Sequence, residues 1–268
     1  MSERTTAFHA LHRPGRPLLL PNAWDHASAA ALAARRHPAI GTTSLGVAAA
    51  GGKPDAAGAT RAENLDLARR LRDLPVLLTV DVEGGFSDDP DAVADYVAEL
   101  AALGVVGVNL EDGRPDGSLA PPELTAAKIA AVKAAVPELF VNARTDAWWL
   151  GVPEALAEAL DRARAYRVAG ADGFFVPGAP DDLVERLAVE AGRPLNVLHR
   201  PGGPGLADLG RLAVARVSTG SLLFRAALGA ALHLADAVRT GRDADLPAAP
   251  AYGWVQALSG PDAAARLP

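Results

Sequence analysis

The chain has 268 residues, half of them hydrophobic, with a net charge of −6 and no cysteine. That length and apolar content suit a large domain with a sizeable core, in the range of α/β barrels. The acidic balance lacks the basic footprint of a nucleic-acid binder, and the missing thiols exclude disulfides, thiolate metal sites and a cysteine acid or nucleophile.

Residues 1–17 carry His9, His12, Arg13 and Arg16 but no secretory apolar run, and no stretch is long enough for a membrane span. The expectation is a soluble cytoplasmic protein with neither nucleic acid nor membrane as partner. From Leu18 onward, short apolar runs alternate with alanine-rich amphipathic segments. Strands are expected at Leu18 to Pro21, Ala39 to Ser44, Val76 to Val80, Val105 to Leu110, Leu139 to Ala143, Gly173 to Val176, Leu195 to Leu198 and Ala215 to Ser218. Helices are expected near 25–36, 60–73, 90–102, 122–135, 153–169, 180–191, 204–212 and 221–239. Asp25 reads as an N-cap, Pro153-Glu154 as a helix start, and Gly104, Gly170 and Gly192 as residues that follow helix ends. Eightfold strand-helix alternation implies a parallel sheet, and eight units close into a (β/α)8 TIM-type barrel of the α/β class. An open doubly wound sheet is the alternative, but no GxGxxG follows the first strand. One domain is expected over 1–268, with the barrel over about 18–240 and a Pro/Ala/Asp-rich tail over about 241–268.

In such a barrel the chemistry gathers where the strands end. Pro75 to Phe86 is the most informative stretch, an apolar run ending in Asp81, Glu83 and the pair Gly84-Gly85. Spaced two apart, Asp81 and Glu83 are expected on one face of a strand, where two carboxylates are costly unless a cation lies between them. The other strand ends contribute Asn22, Thr43, Ser44, Glu111, Asp112, Arg144, Asp146, Asn196, His199, Ser218 and Thr219. Acids, hydroxyls and one arginine at a common mouth suit Mg²⁺, with Mn²⁺ as the alternative, bound through carboxylates and water, with Arg144 and hydroxyls holding an anionic substrate. Asp55 and Asp112 are equally read as turn residues, and His26 and His199 as structural histidines.

Several segments together resemble the isocitrate lyase/phosphoenolpyruvate mutase superfamily. They are Thr42 to Gly46 with Gly52 to Asp55, Val80 to Phe86, Asn109 to Gly113, Asn142 to Asp146, Asn196 to Leu198 and Ala215 to Ser218. The resemblance runs from about Leu18 to Arg239. It implies Mg²⁺ held most directly by Asp81 and mainly through water by Asp55, Glu83 and Glu111. It also implies that Thr43 or Ser44 and the Leu45 and Gly46 amides bind substrate carboxylate and enolate oxygen, with Arg144 and Asn196 on the substrate. The family makes or breaks C–C or C–P bonds beside a 2-oxo acid enolate. Its members are usually tetramers that exchange the eighth helix, so a homo-oligomer, tetramer or dimer, with a swapped or extended C-terminal helix is expected.

Two departures stand out. The isocitrate and methylisocitrate lyases of the family carry a cysteine-bearing loop after the fourth strand, whereas Gly113 to Pro122 here is short and has no cysteine, lysine or histidine. Asp116 and Ser118 on that loop, or a metal-bound water, are then the candidate proton donors, beside Arg144 and Glu111 in the catalytic set. Glu83 also stands where several members have aspartate. The activity the resemblance implies is a Mg²⁺-dependent C–C lyase acting on a small anionic 2-oxo or 2-hydroxy dicarboxylate. Phosphonomutase or oxaloacetate/phosphonopyruvate hydrolase chemistry is the alternative, and a non-catalytic 2-oxo acid-binding barrel the rival of another class.

Overall fold

The computed structural model describes residues 2–242 and 249–259. Its strands are β1 (Leu18–Leu20), β2 (Asn22–Ala23), β3 (Ala39–Thr42), β4 (Leu77–Asp81), β5 (Gly107–Glu111), β6 (Phe140–Arg144), β7 (Gly173–Phe175), β8 (Leu195–Leu198) and β9 (Arg216–Ser218). All pair in parallel, in the order β1-β9-β8-β7-β6-β5-β4-β3-β2. β1 and β2 are two halves of one strand broken at Pro21, which has no N–H for a ladder. One half pairs with β9 and the other with β3, so the ring closes as a TIM-type barrel. Asn22 seals this seam. Its Oδ1 accepts from the Thr219 and Gly220 amides, and its Nδ2 donates to the Thr42 carbonyl at 2.7 Å.

The helices are α1 (Glu3–Leu11), α2 (His26–Ala34), α3 (Ser44–Ala50), α4 (Arg61–Leu71), α5 (Pro90–Ala102), α6 (Pro122–Ala135), α7 (Ala155–Val168), α8 (Val184–Glu190), α9 (Leu206–Arg211), α10 (Leu222–Arg239) and α11 (Tyr252–Ala257). Local signals set several ends as expected. Asp25 caps α2 by accepting from the Ser28 amide at 2.7 Å, and Gly104, Gly170 and Gly192 follow α5, α7 and α8 with positive φ. Three helices escape the sequence reading. In α1 only Thr5 and Phe8 are buried, too few for an apolar stripe. Phe8 nonetheless plugs the N-terminal end of the barrel, packed with Leu18, Leu20, Val106 and Phe140. A Cβ at Gly107 would meet the Phe8 ring and the Phe140 carbonyl, both at 2.9 Å, so glycine lets the plug seat. Ser44 opens α3 instead of ending a strand, and α11 leads to Leu258, which is buried in the main core.

α10 differs from the helices that cover the barrel. Ala237 is its one buried residue among those described, while Leu228, Leu232 and Val238 are exposed. It forms an extended C-terminal helix. Among the described residues no helix is long and apolar enough to cross a membrane.

Candidate active site

Asp81, Glu111 and Arg144 end β4, β5 and β6, three neighbouring strands, so the barrel delivers all three to its C-terminal mouth. Glu111 and Arg144 are register partners, and Arg144 Nη1 lies 2.7 Å from Glu111 Oε2. Apart from this ion pair, Oε2 has no hydrogen-bond partner among the described residues. Arg144 Nε donates to Asp146 Oδ1 at 2.7 Å, and its guanidinium lies 5.6 Å from the Phe175 ring centre. Asp112 sets this arrangement from behind. It accepts from the Asp146 amide at 2.9 Å, from Arg162 at 3.0 Å and from the Tyr166 hydroxyl at 2.7 Å. Asp112 is therefore a buried anchor of the wall.

Glu83 departs from the same-face expectation. β4 stops at Asp81, and Glu83 occupies a left-handed turn at φ 50°. Its carboxylate accepts from the Gly58 amide at 2.9 Å and the Thr60 hydroxyl at 2.5 Å, fastening the loop that carries Asp55. Asp55 is exposed, yet close enough to repel Asp81. Asp81 Oδ1 accepts from the Glu83 amide at 3.3 Å, and the Asp81 amide donates to Thr42 Oγ1 at 2.9 Å.

These acids carry more buried negative charge than Arg144 balances. Burial, opposed by Arg144 and reinforced by Asp55 and Glu83, pushes Asp81 up to about 6. Burial also raises Glu111 well above the usual carboxylate range, again opposed by Arg144, with Asp81, Asp146 and Glu83 adding repulsion. Arg144 itself loses some charge preference to burial but gains more from Glu111, Asp146 and Asp81, so its proton is held more firmly than usual. A carboxyl raised in the folded state binds more protons folded than unfolded between the two values, so stability rises as pH falls through that window. Metal-free protein should therefore gain stability on acidification from about pH 6 towards pH 4 by this contribution. In denaturant unfolding, the gain should be smaller in Asp81→Asn; an identical slope in both proteins would refute it.

Among the described residues no three acidic or imidazole side chains form a preformed ligand cage. The donors at hand are all hard oxygens, and Mg²⁺ characteristically takes one or two carboxylates and keeps its waters. An under-compensated carboxylate cluster with Asp81 at its centre fits such a hydrated ion.

The remaining site residues fall into three groups. Thr43 is buried beneath the first turn of α3, where the Ser44, Leu45 and Gly46 amides have no acceptor within the helix. A Cβ on Gly46 would meet Trp24 Cβ at 2.7 Å, so only glycine lets this turn lie so close to the wall. Asn196 is buried on β8 with neither side-chain atom partnered among the described residues. Asp116 and Ser118 lie on an exposed turn. Ser118 donates both its amide and its hydroxyl to Asp116 Oδ1, holding that carboxyl below its usual range.

Arg216 escaped the sequence reading. It lies beside Asn196 in register and reaches across the barrel interior, where Nη2 donates to Asn109 Oδ1 at 3.1 Å. Burial lowers it to about 9, opposed by the attraction of Asp81. Its alternation with Val217 in a wall strand was the available signal, because it puts the charge on the opposite face from that apolar neighbour.

The chain has counterparts among known proteins. An uncharacterised protein of Mycobacterium tuberculosis (strain ATCC 25618 / H37Rv) is 49% identical over 253 residues, covering 94% of this chain and 95% of its own. An oxaloacetate decarboxylase of Ectopseudomonas mendocina (strain ymp) is 35% identical over 213 residues, covering 74% of this chain and 71% of its own. The solved structure of a phosphonopyruvate hydrolase in complex with oxalate and Mg²⁺ superposes with a TM-score of 0.81 at 26% identity, covering 95% of each chain. The sequence profile of the phosphoenolpyruvate phosphomutase family matches residues 8–239. The chain belongs to that family, and with it to the phosphoenolpyruvate mutase/isocitrate lyase superfamily of lyases, mutases and hydrolases.

Proposed function

We propose that the protein is a Mg²⁺-dependent lyase that cleaves a C–C bond beside the 2-oxo or 2-hydroxy carbon of a small dicarboxylate. The observation that carries this reading is the under-compensated acid cluster of Asp81 and Glu111 around Arg144. Asp81 would hold Mg²⁺ or Mn²⁺ directly, and Glu83, Glu111 and Asp55 would hold it through water; the ion would supply Lewis-acid polarisation of a 2-oxo acid. Arg144, oriented by Asp146 and Glu111, holds an anionic oxygen of the substrate. Thr43, Ser44 and the amides of Leu45 and Gly46 receive the substrate carboxylate and the charge that develops as the bond breaks. Asn196 offers its unpartnered amide to the pocket, and Asn22 holds the seam beneath it. Protonation of the product enolate falls to water, because the Asp116 carboxyl is held below its usual range by Ser118, whose hydroxyl is already donated to it.

The rival phosphonate rearrangement would draw on Arg114 and Arg200 as extra cations. Arg200 is engaged by Asp181, which leaves the mouth short of the extra cations that a phosphoryl group in transit calls for, so the lyase reading stands first.

The deciding experiment is thermal unfolding with and without Mg²⁺ across oxalate, pyruvate, oxaloacetate, malate and phosphonopyruvate. A ligand that binds only the native state stabilises it by about 2.7 kcal/mol at a hundred times its Kd. A shift requiring both Mg²⁺ and one acid is expected, followed by product detection with that acid. No shift with any pair overturns the metal-centred reading, and binding without turnover favours the non-catalytic barrel.

The exposed apolar face of α10 supports a homo-oligomer, tetramer or dimer, in which a second copy covers Leu228, Leu232 and Val238. Light scattering at micromolar concentration tests this; a monomeric mass refutes it.

A further inference from the structure

We propose a second anion subsite, formed by Arg114 and Lys128, in which the distal acidic group of the substrate displaces Asp88. It rests on the reading of the Asp81 cluster as the site for the substrate's 2-oxo or 2-hydroxy acid end. Lys128 Nζ lies 3.2 Å from Asp88 Oδ1, and Arg114 Nη2 lies 3.2 Å from Asp88 Oδ2. Two cations from different elements, α6 and the turn after β5, thus grip the two oxygens of one carboxylate. Asp88 shows with its own side chain what the pair recognises.

Exposure separates the permanent part from the replaceable one. The Lys128 side chain is 6% exposed, whereas that of Asp88 is 69% exposed. An ammonium is seldom buried so far without an anion to meet it. Lys128 also donates to the Gly84 carbonyl at 2.9 Å, so among the described residues two of its three donors are engaged. Arg114 is pre-positioned by its turn: its amide donates to the Ser118 carbonyl at 2.9 Å, and its carbonyl accepts from the Gly117 amide at 3.0 Å. Asp88, by contrast, is an exposed loop carboxylate that loses little by returning to water.

The pair also opens on the right space. A cavity of about 200 Å³ is lined by Arg114, Lys128, Asp88 and Gly84 together with Glu83 and Glu111 of the acid cluster. A ligand anchored at the cluster presents its distal group to Arg114 and Lys128 at high effective concentration, which favours exchange with Asp88. The subsite would distinguish a diacid from a monoacid. The chemistry is shared by a carboxylate and a phosphonate.

Competition against oxalate on the full-length Mg²⁺-loaded protein tests this with two pairs of ligands. Malate and 2-hydroxybutyrate differ by a distal carboxylate, and phosphonopyruvate and pyruvate by a distal phosphonate. Asp88→Asn should tighten malate or phosphonopyruvate about fivefold and leave 2-hydroxybutyrate, pyruvate and oxalate within about twofold. Arg114→Gln should weaken the same responsive ligand about tenfold. Whichever diacid responds identifies the distal group. Uniform weakening of all ligands by Asp88→Asn, or equal losses for diacids and monoacids in Arg114→Gln, would overturn the subsite and leave Asp88 as a loop tether. Should oxalate fail to bind wild-type protein with Mg²⁺, the proposed function fails and a metal-free arm decides the subsite. Inorganic phosphate should then raise the Tm of Asp88→Asn but not of Asp88→Asn/Arg114→Gln; equal shifts, or none, would overturn it.

Discussion

Asp81→Asn is expected to reduce Mg²⁺-dependent kcat/KM by at least about a thousandfold, equivalent to about 4 kcal/mol of transition-state stabilisation. The same substitution should leave the metal-free fold as stable as wild type near neutral pH, or more stable. The two effects have one cause. Asp81 is buried among Asp55, Glu83 and Glu111, and its carboxyl is raised because the charged form is disfavoured there. Asparagine removes that charge but keeps an oxygen to accept from the Glu83 amide, and the backbone bond to Thr42 is untouched. Activity should fall while the unfolding midpoint holds or rises, a combination that general damage to the fold would not produce. Retained Mg²⁺-dependent turnover would sink the Asp81-centred mechanism, and a large loss of stability would mean that the carboxylate is structural.

Arg144→Met is expected to destabilise the protein by about 3–5 kcal/mol at pH 8, because removing one partner leaves buried carboxylates without their countercharge. Glu111, Asp146 and Asp81 all depend on this guanidinium. Its attraction lowers the pKa of each, so its removal raises them further and they protonate more readily on folding. The destabilisation should therefore shrink as pH falls to about 5, where protonation substitutes for the lost cation. Arg144→Lys keeps the charge but cannot reproduce the fork that meets Asp146 and Glu111 together, so its stability should be intermediate. Denaturant unfolding at the two pH values decides the point. Equal losses at both would assign the effect to packing against Phe175. Weakened binding of a 2-oxo acid by a folded Arg144→Lys protein would separate the substrate role from the structural one.

Much of the architecture was legible because it rests on short-range regularities. A strand buried on both faces reads as an apolar run, as in Val76 to Val80, and a glycine after a helix marks the left-handed residue that ends it, as at Gly104. Repeated eight times, such signals imply a closed parallel barrel, and the barrel rule then directs attention to Asp81, Glu111 and Arg144 at its strand ends. The family followed from the same ordered segments.

What only the tertiary structure decided involves partners distant in sequence. The turn at Glu83 sends its carboxylate to Gly58 and Thr60 instead of the strand face shared with Asp81. Asn22 is engaged by Thr219 and Gly220 across the barrel seam, and Pro21 interrupts the strand that closes the ring. Arg216 meets Asn109 from the opposite wall, and α1 plugs the barrel through one phenylalanine with no periodic stripe to announce it. Lys128 and Arg114 meet on Asp88 from separate elements. Local sequence determines which residues form strands and helices, because backbone geometry and capping act within a few positions. Which charge faces which other charge depends on register and loop path, and those are settled only when the barrel closes.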